Sequence, residues 1–162
     1  MASSLKNTNT IEPYLRDTSM EPSNIDTFNK CVAIIFIELY NEFPVRIDDM
    51  RFNDLAIRLF DENDEAVVHE SNLDVFFSTV RWLHQAGYIW LSNMNDLHAF
   101  DVTLSPKGLE LLKLVPDSLD DKKTVGQLLL DTAKHSGKSS LSSIIHIALT
   151  AGYAALATPS IQ

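Results

Sequence analysis

Cysteine is almost absent from this 162-residue chain, with Cys31 the single example. No intrachain disulfide can form, and the thiol count fits a reducing compartment. Cys31 sits inside an apolar run, where it reads as a small buried hydrophobe. Basic residues are also scarce, with 13 Lys and Arg against 22 Asp and Glu and a net charge of −9. Residues 27–117 hold 7 basic and 15 acidic side chains, so this span alone carries −8. An acidic surface repels nucleic acid, whose affinity is dominated by phosphate neutralisation. Residues 1–21 have no apolar core of the kind a secretory signal needs, which points to a cytoplasmic protein. Residues 139–161 contain no Lys, Arg, Asp or Glu at all.

Motifs of catalysis and cofactor binding are missing as well. The sequence has no glycine-rich phosphate loop, nucleophile elbow or zincin pattern. The five histidines, His69, His84, His98, His135 and His146, do not fall at metal-ligand spacings with Cys31 or one another. Residues 61–65, Asp-Glu-Asn-Asp-Glu, suggest calcium, but Ala66 stands where an EF-hand loop needs glycine and Asn72 where it needs glutamate. No enzyme, cofactor or metal centre is expected.

What is present is a series of amphipathic segments. Residues 1–25 read as a flexible polar leader. Asp26 or Thr27 then offers a cap for a helix over 28–43, with Phe28, Val32, Ile35, Phe36 and Leu39 on one face. Cys31, Ile34 and Ile37 widen that face until the helix is apolar nearly all round, which predicts a central or shared position. Pro44 forces an extended stretch over 45–47, which reads as a short strand. Asp48 or Asp49 caps a second helix carrying Met50, Leu55, Leu59 and Phe60. Ser71 and Asn72 cap a third over 73–86, with Leu73, Phe76, Phe77, Val80 and Leu83 at helical spacing. Gly87 stops it. Residues 88–91 and 100–104 form a hairpin around a polar turn, and Ser105-Pro106 opens a further helix.

Two short runs carry a family resemblance. They are Trp82-Leu83-His84-Gln85-Ala86-Gly87-Tyr88-Ile89 and Val102-Thr103-Leu104-Ser105-Pro106-Lys107-Gly108-Leu109-Glu110-Leu111-Leu112. With the element order, they resemble the winged helix-turn-helix superfamily of bacterial type over residues 27–115. The resemblance implies an α+β fold, mainly helical with a small hairpin. A winged-helix domain over 26–118 would then be followed by a helical pair over 119–162. In DNA-binding members the third helix enters the major groove and the hairpin wing touches the backbone. On this chain the recognition face would be Asp74, Ser78, Arg81 and Gln85, with Thr79 and Trp82 beside it. The wing would be Asn93, Asn95, Asp96 and His98. Arg81 is the lone cation among these residues, and readers of DNA need several phosphate contacts.

The function expected is therefore non-enzymatic, through protein–protein contacts, as an adaptor, inhibitor or regulatory subunit. The alternative is a dimeric DNA-binding regulator with a basic patch from Lys107, Lys113, Lys122 and Lys123. A ligand pocket lined by Phe76, Phe77, Trp82 and Trp90 is a further variant of it. In the tail, a helix over 124–135 precedes a second one that places Leu141, Ile144, Ile145, Ala148 and Gly152 on one side. Ser142, Ser143, His146, Thr150 and Tyr153 lie on the other. That apolar stripe should pack on its own domain or on a second copy, giving a homo-oligomer, in preference to contacting a membrane.

Overall fold

The computed structural model describes residues 23–60, 70–117, 122–135 and 137–157. Within them the chain runs α1 (Asn24–Glu42), β1 (Ile47–Arg51), α2 (Phe52–Phe60), α3 (Glu70–Gln85), β2 (Ile89–Trp90), β3 (Asn93–Met94), β4 (His98–Leu104), α4 (Pro106–Lys113), α5 (Val125–His135) and α6 (Ser139–Ala157). The fold is α+β, mostly helical around a small antiparallel sheet. The residues of the leader before 23 and the acidic loop at 61–65 lie outside the described residues.

Helix α1 is central because its sequence leaves it only a narrow polar strip. Cys31, Val32, Ala33, Ile35 and Phe36 are all fully buried, with Leu39 close behind. Helices α2, α3, α5 and α6 and strand β4 all pack against it. Full burial of each Ile, Leu or Phe contributes about 1.5–3 kcal/mol before chain entropy is counted. Its start differs from expectation. Ser23 is the N-cap, its Oγ accepting from the Asp26 N–H at 3.1 Å, so Asp26 and Thr27 already lie in the first turn. Phe43, which precedes Pro44, leaves the helical region at ψ 133° as the steric rule requires.

Strand β4 organises the sheet. It pairs along one edge with β1, in the register Ile47↔Val102, Asp49↔Phe100 and Arg51↔His98. Its other edge pairs with β2 (Ile89↔Leu104) and then with β3 (Asn93↔Phe100). Three expectations fail here. Asp48 and Asp49 do not cap a helix but belong to β1, which claims Met50 as its buried residue. Pairing with β4, some fifty residues away in the chain, overrides the local capping signal. Helix α2 starts only at Phe52, whose N–H donates to the Leu97 carbonyl at 2.9 Å. The turn predicted over 92–98 likewise contains β3. Helix α3 already begins at Glu70, which puts Ser71 and Asn72 inside its first turn and not at its cap.

The join between α3, the ribbon and α4 follows expectation. Ser105 Oγ accepts from the Gly108 N–H at 3.0 Å and donates to the Gly87 carbonyl at 2.6 Å, with Pro106 at the first helical position. Gly87 takes φ +79°, a left-handed value that glycine adopts without strain. In the tail, Thr124 caps α5 through its Oγ1 and Gln127 N–H (3.2 Å). Helix α6 then lies on α1, α4 and α5. Leu141, Ile145 and Ala148 are buried there and Ile144 is half-buried. The predicted stripe is thus covered by its own domain. Asn29 Nδ2 of α1 meets Ser142 Oγ of α6 at 3.5 Å within this contact. No helix among the described residues is long and apolar enough to cross a membrane.

Candidate functional site: the groove between α3 and the β2–β4 ribbon

Helix α3 buries Phe76, Val80 and Leu83 and exposes Asp74, Ser78, Arg81 and Gln85, as the 3.6-residue period requires. Two neighbours of that face part company. Thr79 turns inward and is buried, where its hydroxyl meets the Cys31 thiol. Trp82 stays 42% exposed.

The ribbon β2–β3–β4, called the wing only because it holds the residues expected to form one, stands beside the C-terminal half of α3, and a groove of about 420 Å³ runs between them. Arg81, His84 and Gln85 form its helical wall, and Asn93, Asn95 and Asp96 form the wall on the wing. Phe77, Leu91 and Met94 supply an apolar floor. The structure therefore brings together two of the four predicted recognition residues and three of the four predicted wing residues. Asp74 and Ser78 fall on a different groove, of about 380 Å³, shared with Asn24 and Phe28 of α1. His98 faces β1 instead.

The wing is preorganised by its own side chains. Asn95 Oδ1 accepts from the N–H groups of Leu97 (3.0 Å) and His98 (2.9 Å), closing the turn. Asn93 Oδ1 accepts from the Met94 N–H at 2.8 Å. Behind it, His98 Nδ1 lies 2.6 Å from Asp49 Oδ1, and its ring stacks on Phe100 with centroids 5.9 Å apart. The His98 hydrogen bond, aided by Arg51 Nε at 3.2 Å, holds the Asp49 carboxyl below the usual carboxylate range. At the base of the ribbon Asp101 takes φ +54°, an uncommon value for a non-glycine residue. Ser92 Oγ donates to its carboxylate at 2.8 Å, and Arg46 Nη1 donates to its carbonyl at 2.9 Å.

Arg46 and Arg51 are thus cations near the wing that local sequence does not reveal, because pairing of β1 with β4 puts them there. Both are tethered, Arg46 to the Asp101 carbonyl and Arg51 to the Asp49 carboxylate, although the Arg51 side chain stays 61% exposed. Three of the four lysines of the predicted basic patch, all but Lys122, are tethered in the same way, each with donors to spare. Lys107 donates to the Ala86 carbonyl (2.7 Å), Lys113 meets Glu110 (3.4 Å) and Lys123 meets Asp131 (2.9 Å).

The aromatic pocket expected from Phe76, Phe77, Trp82 and Trp90 does not form. Phe76 is core, packed edge-on to Phe60, while Phe77 lines the wing groove. Trp82 stacks on Tyr88 (5.9 Å) and meets Phe28 edge-on (5.2 Å), and Trp90 lies 49% exposed. Helical and strand periodicity send the four rings to different sides. Among the described residues no three His, Cys, Asp or Glu side chains are placed to hold a metal ion. The tail residues Ile144, Ile145, Ala148 and Gly152 belong to the α6 packing, away from the wing groove. Comparison of the chain with protein-family models, with characterised proteins and with solved structures finds no match.

Proposed function

We propose that the chain is a winged-helix protein that works without catalysis, by binding another protein through the groove between α3 and the wing. One observation carries this reading. Among the described residues that line the groove, Arg81 is the one lysine or arginine and it shares the groove with the Asp96 carboxylate, on a span, residues 27–117, that carries −8. Arg81 has no hydrogen bond or ion pair among the described residues, which leaves it available to an incoming group. The groove's mixture of apolar floor and amide-rich walls suits a polypeptide, which presents both side chains and backbone donors and acceptors. The surrounding negative charge favours a partner with a basic rim, since opposite potentials speed encounter and exclude wrong partners.

A second copy of the chain, if it joins at α6, meets the face bearing Ser143, His146, Thr150 and Tyr153, because Ile145 and Ala148 are already covered. Heparin chromatography at low salt tests the main reading. The protein is expected to pass through unretained. Retention that salt reverses steeply would favour the DNA-binding alternative.

A further inference from the structure

A third concavity, of about 390 Å³, opens where α4 meets α6. Leu111, Leu114, Pro106 and Tyr88 line it. Gly152 of α6 completes it, and the lack of a side chain there keeps the space open. A Cβ at Gly152 would stand 2.7 Å from Leu111 Cδ1. At roughly 30 Å³ for a water-sized group, the volume holds on the order of a dozen methylenes.

Two charged residues, Lys107 and Glu110, stand at its rim. Lys107 Nζ lies 4.3 Å from the Tyr88 ring centroid and donates to the Ala86 carbonyl. An ammonium has three donors, so two remain for a ligand. The opposing Glu110 carboxylate is 74% exposed and is drawn toward Lys113. The Tyr88 ring already meets Trp82, Phe36 and Lys107, so it has little free face for an aromatic guest. Leu111, Leu114 and Pro106 are left as the contact surface, and they suit a flexible aliphatic body.

We infer that this pocket binds an aliphatic monocarboxylate of medium chain length, its tail against Leu111 and Leu114 and its carboxylate on Lys107. The site lies on α4 and α6, apart from the wing groove, so it stands or falls independently of the protein-binding reading. Apolar walls with one placed charge are the usual make-up of small-molecule sites.

Trp82 supplies the reporter, because it stacks on Tyr88. In a Trp90→Phe background it is the only tryptophan. Decanoate, decanol and decyltrimethylammonium are titrated below their micellar concentrations while Trp82 emission is followed. Decanoate is expected to give a saturable change at least tenfold tighter than either of the others. Lys107→Gln should weaken decanoate about tenfold and leave decanol within twofold. Because Lys107 also caps Ala86, Glu110→Gln is measured in parallel. It removes only the rim carboxylate and should tighten decanoate severalfold. The inference is overturned if decanoate gives no saturable change, if decanol or the cationic amphiphile binds as tightly, or if Glu110→Gln leaves decanoate affinity unaltered.

Discussion

Replacing Gly108 by alanine should destabilise the protein, although alanine is the better helix former by about 1 kcal/mol. Gly108 lies in the first turn of α4, against the backbone that leaves α3. A Cβ there would collide with the Tyr88 carbonyl oxygen and come within 3.1 Å of its carbon and 3.4 Å of Leu104 Cδ2. That oxygen cannot rotate away, because it is main chain and accepts from the Ser105 N–H at 3.0 Å. Relief requires moving α4 as a unit, which strains the Ser105 cap and the Lys107 bond to Ala86. Overpacking of this kind costs about 1–3 kcal/mol, and a weakened buried hydrogen bond adds about 1. Set against the propensity gain, the net loss is about 2 kcal/mol. With a urea m-value of about 2 kcal/mol/M the midpoint falls by about 1 M. Gly137→Ala is the control, since its Cβ would meet only Ser139 Oγ at 3.9 Å. If Gly108→Ala unfolds at the same urea concentration as the parent, the close approach of α4 to Tyr88 is wrong.

Ile145→Asp puts a carboxylate into the contact of α6 with its own domain, at a site with no solvent access. The cost should be on the order of 4 kcal/mol, read as a large fall in melting temperature, and an unchanged melt would mean that α6 is not packed there. Asp49 has its pKa lowered in the folded state, so the pair with His98 stabilises above the ordinary carboxylate pKa and loses that contribution as pH falls through the lowered value. Melting temperature against pH should therefore drop more steeply below about pH 4 in the parent than in Asp49→Asn, and parallel curves would refute the pair. The Cys31 thiol is pushed up to about 12 by burial, so a disulfide reagent at pH 8 should leave it unmodified until denaturant is added. Rapid labelling of the native protein would contradict the packing of α1.

The parts of this fold that sequence discloses are those decided within a few residues. Ser105-Pro106 and the left-handed Gly87 announce the ends of α4 and α3 because capping and positive φ are local requirements. The breadth of the apolar arc on α1 gives its central position for the same reason. Most of strand β1 is hidden: the short strand expected over 45–47 reaches it only at Ile47, and Asp48 and Asp49 mimic a helix cap that only the ladder to β4 overrides. That same ladder brings Arg46, Arg51 and Asp49 to the wing and turns His98 away from the groove. The left-handed Asp101 has no signal beyond its residue type, which tolerates that conformation better than most. At the candidate site, helical period places Arg81 and Gln85 on the open face. Whether Asp74 and Ser78 share their groove depends on where α1 begins, and Ser23, three residues before Asp26, sets that point.

The central claim is that the surface formed by α3 and the wing binds protein and not nucleic acid. Its most direct test is fluorescence anisotropy of a random-sequence duplex, titrated with the full chain at several salt concentrations. The account predicts no saturable binding at micromolar protein even in low salt, and no difference between the parent and Arg81→Ala. Binding whose logarithm falls linearly with log salt, with a slope of several units that Arg81→Ala reduces by about one, would contradict it.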